Sequence, residues 1–112
     1  MKLEVLAGTI EEYRDAVDAP QDKLDDALHG AYEQGTDTLR LRFIVPLEKQ
    51  SDNFALIGNA MRSILSFMDT HDHPQTVRII CDSEETARLY KVVYNFWFAE
   101  RKTDRLDDDS WD

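Results

Sequence analysis

The residues with the most chemical potential lie where apolar runs give way to acids. Cys81 ends the run Thr76-Val77-Arg78-Ile79-Ile80-Cys81 and is followed by Asp82-Ser83-Glu84-Glu85. A nucleophilic cysteine needs a base or a positive environment to form thiolate. Asp82, Glu84 and Glu85 act against that, the start of a following helix acts for it, and the balance favours a buried structural thiol. His71-Asp72-His73 precedes Pro74 and has two metal-ligand types, yet no third protein ligand follows nearby, so a solvated loop is the simpler reading. His29 falls inside a helical pattern. Asp15, Asp18, Asp22, Asp25 and Asp26 form a dense acidic set without calcium-loop spacing, which reads as a charged outer face.

Three short stretches share a different promise. Gly8-Thr9-Ile10, Leu47 to Phe54 (with Ser51 and Asn53) and Cys81-Asp82-Ser83 each lie between an apolar strand and a helix start. In a parallel α/β sheet, ligands gather beyond the carboxyl ends of the strands, where helix starts offer N–H groups to an anion. Gly8, Thr9, Ile10, Leu47, Ser51, Asn53, Phe54, Cys81, Asp82 and Ser83 are therefore the candidate ligand-binding residues. The competing reading is that these groups only cap their own helices.

The elements that must carry these residues follow from periodicity. Lys2-Leu3-Glu4-Val5-Leu6 alternates as a half-buried strand. Thr9-Ile10-Glu11-Glu12 is a capping box, and its helix is expected to reach about Val17. Pro20 is expected in the first turn of the next helix, where Leu24, Ala27, Leu28, Ala31 and Tyr32 make one apolar stripe and Gly35 the left-handed stop. Thr38 to Val45 reads as a strand. Ser51 or Asp52 caps a helix with Ile57, Ala60, Met61, Ile64, Leu65 and Met68 inward. A third strand, 76–81, leads to a last helix from about Glu84 to Lys102. The order β-α-α-β-α-β-α implies an α/β fold with a small, mainly parallel, three-stranded sheet and flanking helices.

That last helix carries more apolar surface than a small sheet can cover. Thr86, Leu89, Tyr90, Val93, Phe96 and Trp97 form the expected core face. Ala87, Tyr94 and Phe98 fall on another side, and with Trp111 they are the candidate interface.

Composition sets the outer limits. The 112 residues make one domain, 1–103, followed by an acidic C-terminal stretch, 104–112. Hydrophobic residues are 42% and charged residues 32%, as in globular proteins, and no apolar run suits a membrane span. The net charge of −10 disfavours nucleic acid. One cysteine and the lack of an apolar leader suggest a cytoplasmic protein. Nothing calls for a cofactor or a metal.

Several strings resemble a shortened macro domain, the ADP-ribose-binding module family. They are Leu3-Glu4-Val5-Leu6-Ala7-Gly8-Thr9-Ile10, Leu24-Asp25-Asp26-Ala27-Leu28-His29-Gly30-Ala31, and Asn59 through Tyr90. The resemblance implies a layered α/β fold in which the first, last and second-last strands lie side by side. It also implies a possible small nucleotide-like anion as ligand. The family holds diphosphate on glycine-rich loops, whereas this chain has four separate glycines, and Thr9 stands where the family has its adenine-recognising acid. The asparagine-rich stretch tied to hydrolysis has no counterpart. The expectation is thus a non-catalytic interaction protein, a homodimer or the partner of another protein. It self-associates by the edge of the Thr38–Val45 strand or by the Tyr94–Phe98 face. ADP-ribose binding is the alternative, with hydrolysis of ADP-ribose derivatives through Ser51 or Asp52 and acidic inhibition of a basic enzyme behind it.

Overall fold

The computed structural model describes residues 2–20, 23–42 and 53–98. Eight elements alternate along the chain: β1 (Lys2–Ala7), α1 (Ile10–Asp15), β2 (Val17–Asp18), α2 (Leu24–Gln34), β3 (Thr38–Arg42), α3 (Asn53–Thr70), β4 (Thr76–Cys81) and α4 (Glu84–Trp97). The strands form one parallel sheet in the order β1-β4-β3-β2. The fold is α/β as expected, but the sheet has four strands rather than three. Val17 was expected in a helix and is instead in β2, which pairs Val17 with Leu41 and Asp18 with Arg42. Two residues are too few to show a period of two, so only the neighbouring strand defines β2.

The register puts Leu3, Val77 and Leu39 in one row and Val5, Ile79 and Leu41 in the next. Strand alternation sends these to one face, where they meet Leu24, Leu28 and Ala31 of α2, the α3 stripe and Tyr90, Val93 and Tyr94 of α4. Each fully buried Leu or Ile there contributes about 1.5–3 kcal/mol of burial. The opposite face carries the row Glu4, Arg78 and Arg40. Only α1 among the described helices leans toward it, and that helix buries none of its residues. The sheet therefore has one dry face and one half-wet face, which explains why Lys2–Val5 of β1 and Leu39–Arg42 of β3 alternate between apolar and charged residues.

Local chemistry sets the boundaries. The Thr9 N–H donates to Glu12 Oε1 at 2.7 Å and the Glu12 N–H to Thr9 Oγ1 at 3.1 Å, so the capping box is formed. Gly35 has φ 65° and ends α2, with the Thr36 N–H reaching back to the Ala31 carbonyl at 2.9 Å. Pro20 does not open α2. Its carbonyl instead accepts from the Lys23 N–H at 2.8 Å in a turn, and the helix starts at Leu24. Residues 43–52 and 99–112 lie outside the described residues, and with them Leu47, Ser51, Asp52, Trp111 and the expected ends of β3 and α4.

The core face of α4 is turned from the expected one. Ala87 and Tyr94, proposed as interface, are inside the core, while Phe96, proposed as core, is 73% exposed. The offset is about 50°, half of one residue's step on a helix wheel. It follows from α3: Gly58 has no side chain, and the Trp97 indole lies where its Cβ would be, 2.6 Å from the ring atoms. Arg62 covers the indole with its guanidinium 4.9 Å from the ring centroid. Drawing Trp97 onto Gly58 carries Tyr94 inward and Phe96 outward.

Candidate functional site

At the carboxyl ends of β1 and β4, several of the groups that would hold an anion are already in use. Gly8 donates its N–H to the Cys81 carbonyl at 3.1 Å, which ties the ends of β1 and β4 together. A Cβ on Gly8 would meet Ile80 Cγ2 at 2.5 Å, so the glycine answers a close approach between α1 and β4. Thr9 N–H and Glu12 N–H serve the capping box. At the other helix start, Ser83 Oγ accepts from the Thr86 N–H at 3.2 Å and donates to Thr86 Oγ1 at 3.1 Å. Asp82 is exposed and Ile10 is 77% exposed. The structure thus brings Gly8, Thr9, Cys81, Asp82 and Ser83 to one rim. Asn53 and Phe54 open α3, with Phe54 turned to the Phe96 ring rather than to an anion.

Electrostatics at this rim oppose covalent chemistry. Cys81 is buried, and burial first, then the Asp82 charge, pushes its thiol up from 9.0 to about 12, with Lys91 pulling weakly the other way. Burial likewise raises Tyr90. A thiol held this high is protonated at neutral pH and is a poor nucleophile. Hydrogen bonding by the Thr9 backbone holds the Glu12 carboxyl below its usual range, which suits a structural cap.

The histidine pair does not converge. His71 Nδ1 lies 2.9 Å from the Phe67 carbonyl and its ring stacks on Phe67 at 3.8 Å. His73 turns the other way, with Nε2 3.3 Å from Asp37 Oδ1, and Asp72 is exposed. His29 meets Phe67 edge-on at 5.0 Å. Among the described residues no group of three His, Cys, Asp or Glu could hold a metal ion.

Two surfaces remain that sequence reading did not isolate. The first is aromatic: Phe54 stands edge-on to Phe96 with ring centroids 5.9 Å apart, and Val92, one turn before Phe96, is also exposed. Phe98 lies behind it, tilted on Tyr94 at 5.3 Å. Helical spacing alone could have grouped Val92 with Phe96, but not Phe54. The second is a cleft of about 370 Å³ between α2 and the β2 edge of the sheet, lined by Asp15, Val17, Asp26, Gly30, Thr38 and Arg40 among others. In the sequence Asp15 and Asp26 are simply two members of a dense acidic set. Chain crossing through β2 brings them to one opening.

On the half-wet face, Arg78 donates to Glu4 at 2.7 Å and Lys2 approaches the same carboxylate at 3.1 Å. The Arg78 hydrogen bond holds Glu4 below the usual carboxylate range. Arg42 lies over the Tyr13 ring at 5.0 Å and donates to the Tyr13 carbonyl at 3.1 Å. These pairs use up the basic side chains that alternate along β3 and β4, apart from the exposed Arg40. No described helix is long and apolar enough to cross a membrane.

Comparison with family models, with curated proteins and with solved structures finds no match for this chain.

Proposed function

We propose that this chain is a non-catalytic interaction domain that pairs with a second copy of itself through Phe54, Val92 and Phe96. The observation that carries the reading is the exposure of Phe96, 73%, beside the Phe54 ring. Aromatic residues are enriched in the cores of interfaces, and a two-fold axis would set each Phe96 against the partner copy's patch. The raised Cys81 thiol and the capped starts of α1 and α4 support a non-catalytic reading. The lone buried thiol fits a reducing cytoplasm.

Kinship with a truncated macro domain belongs to the same proposal. It is supported by the adjacency of β1, β4 and β3, the first, last and second-last strands. A small nucleotide-like anion such as ADP-ribose at the rim has less support, because the Gly8, Thr9, Glu12 and Thr86 N–H groups there already have partners within the chain. Sedimentation equilibrium at tens of micromolar tests the main reading. The wild-type chain is expected to be dimeric, and Phe96→Ser to weaken dimerisation by about tenfold or more. A strictly monomeric wild type, or a Phe96→Ser dimer of unchanged strength, overturns it.

A further inference from the structure

The edge of the sheet beside β2 is only half built. β2 pairs with Leu41 and Arg42, and no described strand lies beside Thr38, Leu39 and Arg40 on that side. The direction of the free groups can be read from the ladder. The Asp37 carbonyl accepts from Gln75 and Thr76 on the β4 side, while the Arg42 carbonyl accepts from Ala19 on the β2 side. Main-chain groups alternate along a strand, so Thr38 turns both its N–H and its C=O, and Arg40 its N–H, toward the β2 edge. They face the cleft of about 370 Å³.

We propose that this cleft receives an extended, basic segment of a partner protein, which continues the sheet where β2 stops. Thr38 to Arg40 spans about 10 Å, room for three residues of added strand. The α2 wall there is low: Ala27, Gly30 and Ala31 line it, and a Cβ on Gly30 would meet nothing within 4 Å. An incoming backbone can therefore lie close to the helix. Among the described residues that line the cleft, Asp15 and Asp26 stand against one cation, Arg40, in a chain of net charge −10. Hydrogen bonds to Thr38 and Arg40 supply sequence-independent affinity, and the two aspartates select Lys or Arg side chains. The surface is separate from the Phe54–Phe96 patch, so this inference and the dimer stand or fall apart.

Fluorescence anisotropy with short labelled peptides tests it. The probes are an alternating Lys-Val peptide, its Glu-Val counterpart and a Lys-Val peptide with proline at alternate positions. Wild-type protein is expected to bind Lys-Val at least about tenfold more tightly than either of the other two, since one lacks the charge and the other the strand donors. Gly30→Leu fills the cleft in a helix position that tolerates leucine, and it is expected to reduce Lys-Val affinity by a similar factor. Asp15→Asn/Asp26→Asn leaves the cleft open and is expected to lower affinity and flatten its salt dependence. Exchange of the Thr38 and Arg40 amides should slow when the peptide binds. Absence of binding at millimolar peptide overturns the proposal. So does Lys-Val binding that survives Gly30→Leu, tolerates alternate prolines or leaves those amides unprotected, each of which marks unspecific attraction to an acidic surface.

Discussion

Single side chains decide two properties of this protein, the pose of α4 and the inertness of its thiol. Gly58 makes room for the Trp97 indole, and a methyl group there would sit 2.6 Å from ring atoms. Gly58→Ala gains about 1 kcal/mol of helix propensity but forces a rigid ring outward, so the net change is expected to be a loss of about 1–2 kcal/mol. Chemical denaturation measures the loss, and a shift in tryptophan emission reports the displaced ring. Cys81 should be unreactive toward a thiol reagent at pH 8 in the native state and fully reactive in denaturant. Its folded value of about 12 lies above the ordinary 9.0, so the native state keeps its proton where the unfolded state has lost it. The stabilisation is complete below about pH 9 and is lost as pH rises from 9 toward 12, at no more than about 1.4 kcal/mol per pH unit. A flat stability profile across that window refutes the assignment.

Among the elements, α1 is the most dependent on its cap. It has six residues and buries none of them, so tertiary packing does little for it. Thr9→Ala is expected to cost about 0.5–2 kcal/mol locally and to raise the Glu12 carboxyl only slightly, because the hydroxyl is lost while the Thr9 backbone N–H that does most of the lowering remains. Carboxyl titration by nuclear magnetic resonance reads the second effect, and faster amide exchange across 10–15 reads the first. Unchanged amide exchange across 10–15 shows that the cap is dispensable. α1 also carries the chain from β1, at one edge of the sheet, to β2 at the other. Loss of α1 order should therefore loosen β2 and widen the cleft beside Thr38, so the Thr38 edge and the Thr9 cap are linked through two residues, Val17 and Asp18.

The whole molecule is asymmetric. Its core lies on one face of a parallel sheet, and the other face is tiled with ion pairs such as Arg78 to Glu4. Removing that pair with Arg78→Met should raise the Glu4 titration midpoint toward the ordinary range while costing less than about 1 kcal/mol, since both groups are partly exposed. A protein of net charge −10 also repels its own copies over distance. Dimerisation through Phe54 and Phe96 should accordingly strengthen as salt rises, because screening removes repulsion and leaves apolar burial. Binding of a basic strand at the Thr38 edge should weaken under the same change. Opposite salt responses at the two surfaces distinguish them in one titration.

Periodicity and capping chemistry determined much of this protein without any tertiary knowledge. The α3 stripe, the α2 stripe apart from Tyr32 (which the structure leaves exposed), the Thr9 box, the Gly35 stop and the three longer strands are each written within about twenty consecutive residues, because helix and strand repeats and caps are local. Gly8, Thr9, Cys81, Asp82 and Ser83 were also legible as neighbours, since strand ends of a parallel sheet must share one side. Three features had no local signal. β2 exists only because Leu41 and Arg42 lie beside it. The rotation of α4, which buries Tyr94 and presents Phe96, was decided by Gly58 on another helix. Asp15 and Asp26 meet across a cleft only after the chain has crossed the sheet and returned. Each is a contact between segments far apart in sequence, and such contacts are fixed by how the surfaces fit together rather than by any residue's own preference.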